Sequence, residues 1–324
     1  MFLRQSGPRV YKAVRREASG EPPVLAPFRM ADYIINMVTG ERCPSRGGRT
    51  CGERRRVSKI PQAADTRIDN DLYSVRSDEW WRPDSPFYQM KVSFNPARVG
   101  YAKRVLFEVL KIDPRGRKAL EIGSGGGYIC EEIARLGFEP SGVDPSGPSV
   151  RVAAEHARRN GLKIHYGVGR GESLPFGNES CDVVMCCDVL EHVRDLPGVI
   201  AEVARVLRPG GVFCYDTFNR TIISNLAVIK VSQEWKRWAF LPPRVHVWRM
   251  FIKPRELKSL LSLNQLEWRE HRGLVPSLSL FKVLAALRRR ARGEWTYVDL
   301  SRRIGLVESR WTGGMYIGYA VKRL

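Results

Sequence analysis

From Lys118 to Asn219 the sequence alternates short, unbroken apolar runs with segments of helical period, and this alternation restricts the fold more than any other feature. "KALEIG" reads as a strand, "GYICEEIARLG" as a helix stopped by Gly137, "EPSGVDPS" as a strand ending in an acid, and "SVRVAAEHARRNG" as a helix closed by Gly161. "KIHYGVG" and "CDVVMCCDVL" follow as strands, "LPGVIAEVARVLRPGG" as a helix closed by Pro-Gly-Gly, and "VFCYDTFN" as another strand. Strands that are apolar at every position, rather than at every second one, are covered on both faces. That is the condition of a parallel sheet between two helical layers. "MYIGYAVKRL" reads as a last strand near a sheet edge.

The chain has 324 residues, 43% of them hydrophobic, enough to bury a sizeable core in one large or two small domains. Residues 1–68 stand apart: stretches such as "ERCPSRGGRTCGERRRVSK" hold few periodic apolar positions, so we expect a basic, disordered extension there. A start codon placed upstream of the true one gives the same text. The folded domain is expected over 69–324. It begins with clustered aromatics ("DEWWRPDSPFYQM") and then a helix after Pro96, with Val99, Ala102, Val105, Leu106 and Val109 at helical spacing. Seven cysteines without any C-x-x-C pair argue for a reducing compartment and against a zinc ribbon or disulfide framework. The basic start carries no continuous apolar segment of a secretory signal, and no run is long enough to span a bilayer. A cytoplasmic protein is expected, with an organellar transit sequence as the lesser alternative.

Gly123-x-Gly125-x-Gly127 joins the first of these strands to its helix. Glycine at such a turn lets backbone approach a ligand where a side chain would intervene. Asp144, about 20 residues on at the end of the next strand, is placed to take the hydroxyls of a ribose. A dinucleotide turn wants G-x-G-x-x-G, and here Tyr128 stands where its third glycine would fall.

With Glu121 in front, the string E-x-G-x-G-x-G instead resembles the first motif of class I S-adenosylmethionine-dependent methyltransferases, and "ESLPF", "CDVVMCCDVLEHV" and "VARVLRPGG" continue that likeness. The resemblance implies a Rossmann-like α/β fold with a mostly parallel seven-stranded sheet, helices on both faces and an antiparallel C-terminal strand. "NPARVGY", "CDVLEHV", "NRTIIS" and "FIKPREL" narrow it further. Over roughly 71–324 the chain resembles the ubiquinone-biosynthesis O-methyltransferases, which methylate polyprenyl dihydroxybenzoates and demethylubiquinol. Carried over, the resemblance makes Arg98, Gly123, Gly125, Gly127, Asp144 and Cys187 contacts of S-adenosylmethionine. A guanidinium at Arg98 suits a methionine carboxylate. The position after Gly169, often Asp in that family, is Arg170, which leaves Glu172 or backbone to meet the adenine.

The expected reaction is methyl transfer to a phenolic or catechol hydroxyl of a polyprenylated quinone precursor. A phenol resembles tyrosine, with a pKa near 10, so a base or cation must make its oxygen nucleophilic. Asp188, Glu191 and His192 share one face if the segment after the fourth strand is helical. Glu191 and His192 are therefore candidate catalytic residues. With Asp188 they are also a candidate set for a divalent cation, magnesium or zinc, which would acidify a chelated catechol. Such a segment also caps helices in methyltransferases that use no metal. His246 in "RVHVW" is a further candidate base.

A formal net charge of +20 implies attraction to phosphate-bearing surfaces. In 219–250, "TIISNLAVIKVSQEWKRWAFLPP" mixes apolar residues with Lys230, Trp235, Lys236, Arg237 and Trp238. It is read as a cap over the pocket that faces substrate and an anionic membrane, giving a peripheral place on the inner membrane surface. The basic run "LRRRARGEW" admits RNA, ranked below lipid because no RNA-binding module accompanies it. Methylation of a soluble phenol and non-catalytic cofactor or RNA binding stand as alternatives.

Overall fold

The computed structural model describes residues 68–324, apart from 237 and 240. The expected extension over 1–68 lies outside the described residues except for Ile68. Eight strands form one sheet: β1 (Lys118–Ile122), β2 (Glu139–Asp144), β3 (His165–Val168), β4 (Cys181–Cys187), β5 (Leu207–Phe218), β6 (Leu266–Pro276), β7 (Leu306–Ser309) and β8 (Met315–Lys322). Their order is β3-β2-β1-β4-β5-β8-β6-β7. The first five run parallel, whereas β8 is antiparallel to both β5 and β6, and β7 to β6.

The strand count and one placement differ from the expectation. Among the described residues there are eight strands, not seven, and β8 is an interior strand buried from Met315 to Ala320, not one near an edge. Two neighbours take up its hydrogen bonds, which is why it carries no edge-protecting charge along most of its length. The segment after "VARV" also differs: the helix ends at Val206, and Leu207 to Gly211 already extend β5.

The helices used below are α1 (Asn95–Lys103), α2 (Tyr128–Arg135), α3 (Gly147–Arg159), α4 (Leu196–Val206), α5 (Pro254–Leu263), α6 (Leu280–Ala291) and α7 (Tyr297–Arg303). Successive residues of β4 point to opposite faces. Val184 and Cys186 pack with Val199, Ile200 and Val203 of α4 and with Leu257 and Leu261 of α5. Val183, Met185 and Cys187 pack with Tyr101 and Ala102 of α1, and with Ile129 and Ile133 of α2. Two apolar cores, one per face, explain the unbroken apolar run and place the C-terminal ends of β1, β2 and β4 side by side. In such sheets ligands bind beyond those ends.

Cys130, Cys181, Cys186, Cys187 and Cys214 are all buried free thiols. Among the described residues no helix is long and apolar enough to cross a membrane.

Candidate active site

The turn after β1 is built by glycine. Gly123, Gly125 and Gly127 have φ of 72°, 48° and 85°, the left-handed region that side chains rarely adopt. Val143 O of β2 accepts from Gly123 N and Ser124 N at 2.8 and 3.0 Å, which fastens the turn to the neighbouring strand. Gly125 N donates to Asp144 Oδ2 and Ser146 N to Asp144 Oδ1, each at 2.8 Å. Burial pushes the Asp144 carboxyl up, while these two N–H bonds pull the other way. Beneath the turn, Glu121 Oε2 accepts from Cys130 N at 2.8 Å and so anchors the start of α2; burial raises its pKa to about 8.

Sequence reasoning missed what lies on this turn. A Cβ on Gly125 would come 2.6 Å from Trp80 Cη2, and one on Gly126 2.6 Å from Trp80 Cβ. Trp80 Nε1 donates to Ser149 Oγ at 3.0 Å, Trp81 Nε1 to Gly126 O at 2.9 Å, and Tyr73 stacks on Trp80 with ring centroids 6.0 Å apart. The clustered aromatics were visible as composition, but nothing local marked them as a cover for the glycine turn.

Beyond β4 the chain turns sharply at Asp188, whose φ is 60°. The following segment is a turn closed by His192 N donating to Val189 O at 2.8 Å, not the helix on which the three-residue set was argued. Asp188 N donates to Asp216 Oδ1 at 3.0 Å, and Asp188 Oδ2 lies 3.9 Å from Arg98 Nη2. Burial alone would raise the Asp188 carboxyl, but the Arg98 guanidinium outweighs it and holds it low. Glu191 behaves oppositely: burial and the Asp188 charge push it well above the usual carboxylate range. Its Oε2 accepts from Thr217 Oγ1 at 2.8 Å.

His246 reaches the site from the chain after β5, about 50 residues downstream. Gln233 holds its backbone reciprocally: Gln233 Oε1 accepts from His246 N at 2.7 Å and Gln233 Nε2 donates to His246 O at 3.1 Å. The His192 and His246 rings lie 5.1 Å apart. Burial lowers both imidazoles, His246 to about 3, so each is neutral near pH 7. One donor atom each from Asp188, His192 and His246 fall within 4.8 Å of one another. Asp188 Oδ1, His192 Nε2 and both ring nitrogens of His246 are buried without a hydrogen-bond partner. Buried polar atoms are nearly always satisfied, so this group is chemically primed for a ligand.

The remaining expected residues are placed as follows. Arg98 is buried and engaged by Asp216. Cys187 ends β4 with its side chain in the α1/α2 core, and Glu172 is half-buried in the loop after β3.

A glycine turn over strand ends, an acid closing the second strand and a polar cluster after the fourth define a class I S-adenosylmethionine-dependent methyltransferase. Residues 120–215 match the family model described as a methyltransferase domain. The chain is 33% identical over 224 residues to the ubiquinone biosynthesis O-methyltransferase of Sinorhizobium medicae, covering 66% of this chain and 89% of that protein. It is 37% identical over 214 residues to the enzyme of the same name from a Caulobacter species, covering 64% and 83%. The chain belongs to the ubiquinone biosynthesis O-methyltransferase family. Among solved structures, a methyltransferase of Thermotoga maritima described as a possible histamine N-methyltransferase superposes with a TM-score of 0.50 at 16% identity, covering 78% of this chain and 99% of that one. This likeness concerns the fold alone.

Proposed function

We propose that this methyltransferase acts on a phenolic hydroxyl of a catechol-type ring, in a polyprenylated quinone precursor. The carrying observation is the buried Asp188, His192 and His246 group, whose donor atoms lack partners, next to the strand ends that hold the glycine turn and Asp144. S-adenosylmethionine supplies an activated methyl group, so the protein must position the acceptor oxygen and remove its proton.

In this reading Asp144 and the backbone of Gly123, Gly125 and Gly127 hold the ribose and methionine portions, with Cys187 and Glu172 flanking. Arg98 is proposed at the carboxylate end; Asp216 engages its Nε and Nη2, and Nη1 keeps a single long contact to Asn95 at 3.5 Å. His192 and His246, both neutral, each offer one ring lone pair, which can take the phenol proton or bind a metal ion but not both. Glu191 is proposed as a proton-bearing neighbour that hydrogen-bonds within the pocket. One carboxylate with two imidazoles suits zinc or another transition ion better than magnesium, which prefers oxygen ligands throughout. We therefore propose that Asp188, His192 and His246 hold such an ion, which would lower the pKa of a bound catechol hydroxyl. The expected set of Asp188, Glu191 and His192 is revised by exchanging Glu191, which faces Thr217, for His246.

The cap supports a lipid-like acceptor and a peripheral place on an anionic membrane. Ile222 is 81% exposed and Trp235 50% exposed, with Lys230 and Lys236 nearby in sequence. The test is methyl transfer from labelled S-adenosylmethionine to a short-chain prenyl dihydroxybenzoate and to unprenylated catechol. Labelling of the prenylated ring, suppressed by chelator, supports the reading. Labelling of the simple catechol alone favours a soluble acceptor, and labelling of neither removes the phenol assignment.

A further inference from the structure

Asn70 makes two specific contacts with His192. Its Nδ2 donates to the backbone oxygen of His192 at 3.2 Å, and its Oδ1 lies 3.4 Å from His192 Nδ1. A backbone carbonyl can only accept, which fixes the orientation of the Asn70 amide. The oxygen that then faces the ring can also only accept, so His192 Nδ1 must carry the proton. Nε2 is left with its lone pair, and Nε2 is the buried, unpartnered nitrogen of this imidazole.

The backbone around Asn70 is held on both sides. Asp69 N donates to Arg244 O at 3.0 Å, two residues before His246. Ser149 Oγ of α3 donates to Tyr73 O, and Ser74 Oγ to Ser146 Oγ, each at 2.9 Å. The edge of Tyr73 meets the His192 ring at 6.1 Å. One short segment thus touches the turn bearing His192, the chain leading to His246 and the helix that follows Asp144.

We infer that Asn70 is the positioning residue of His192: it fixes the Nδ1–H tautomer and the ring plane so that Nε2 is presented to Asp188 and His246 as a ligand or base. An imidazole whose second nitrogen is held by an oxygen acceptor is the usual support of a working histidine, and loss of such support lowers ligand affinity 10- to 100-fold. The inference rests on the proposed role of the Asp188, His192 and His246 group, and its test separates the two.

The chain contains five histidines, so ¹⁵N-histidine labelling gives a countable set of imidazoles in long-range ¹H–¹⁵N spectra, with His192→Gln assigning its signal. Asn70 is exposed, so its variants should fold. The wild type should show His192 as the Nδ1–H tautomer. Asn70→Leu should populate the Nε2–H form and weaken cobalt(II) binding, read by calorimetry, about 10-fold or more. Asn70→Asp keeps an acceptor oxygen toward Nδ1 and should retain the tautomer. An unchanged tautomer in Asn70→Leu overturns the inference. If wild-type protein binds no cobalt(II) while the tautomer still shifts in Asn70→Leu, the positioning role stands and the metal reading falls.

Discussion

Arg98 of α1 and Asp216 of β5 pair side by side in the interior, Nε to Oδ2 at 2.7 Å and Nη2 to Oδ1 at 2.9 Å, with exposures of 2% and 0%. The same Asp216 oxygen accepts from Asp188 N at 3.0 Å, so the pair fixes the start of the turn that carries Asp188. Removing one partner strands a buried charge. Arg98→Ala should destabilise the protein by about 3–5 kcal/mol, whereas Arg98→Met with Asp216→Leu should recover much of that loss. Chemical denaturation of both variants is the check, and equal losses would mean the pair contributes through packing alone.

Asp144 accepts from two backbone N–H groups that define the glycine turn. Asp144→Ala should weaken S-adenosylmethionine binding at least 10-fold in calorimetry, because it removes the proposed ribose acceptor and the anchor of Gly125. Unchanged affinity would place the cofactor elsewhere.

Glu121 predicts a pH dependence of stability. Its folded pKa, about 8, lies above the ordinary carboxylate value because of burial. Between those two values the folded chain holds a proton that the unfolded chain has released, so stability falls as pH rises through this window and then levels off. Glu121→Gln keeps an acceptor for Cys130 N and should flatten this slope, leaving the variant the more stable form at pH 9. Parallel pH–denaturation series decide it.

The two carboxyls and two imidazoles beyond β4 divide sharply. Glu191 points an oxygen at Thr217, while His246 brings nitrogens to Asp188 and His192. Glu191→Gln should leave zinc or cobalt affinity within about 3-fold of wild type. His246→Ala should lower it at least 10-fold, as expected when one ligand is lost from such a set. The reverse ranking would restore the set argued from sequence spacing.

Ile222 and Trp235 are exposed apolar side chains on a strongly basic protein. Replacing both by Glu should reduce sedimentation with anionic vesicles several-fold without altering S-adenosylmethionine binding. Undiminished sedimentation would move the lipid contact to another surface.

What the sequence disclosed was local. Gly123, Gly125 and Gly127 and the following acid are separated by one strand and one helix, and backbone geometry dictates their residue types at each step. Arg98 stood out as a cation, but its partner Asp216 is 118 positions away and no periodicity links them. Asn70 and His192 are 122 apart, and an exposed asparagine carries no pattern at all. β6, "LEWREHRGLVP", lacks the clean alternation that marks a strand, so its insertion beside β8 was hidden. The spacing of Asp188, Glu191 and His192 was argued on a helix, but the segment is a turn, and the donor atoms that gather there belong to Asp188, His192 and His246.

β8 comes last of the eight strands in chain order yet lies between β5 and β6. On a ribosome, β1 to β5 emerge long before the strand that joins them to β6 and β7. Throughout that interval β5 offers an unpaired apolar margin to any other nascent chain. The sheet is zipped shut only by residues 315–322, so β5 and β6 stay unjoined until that strand is in place.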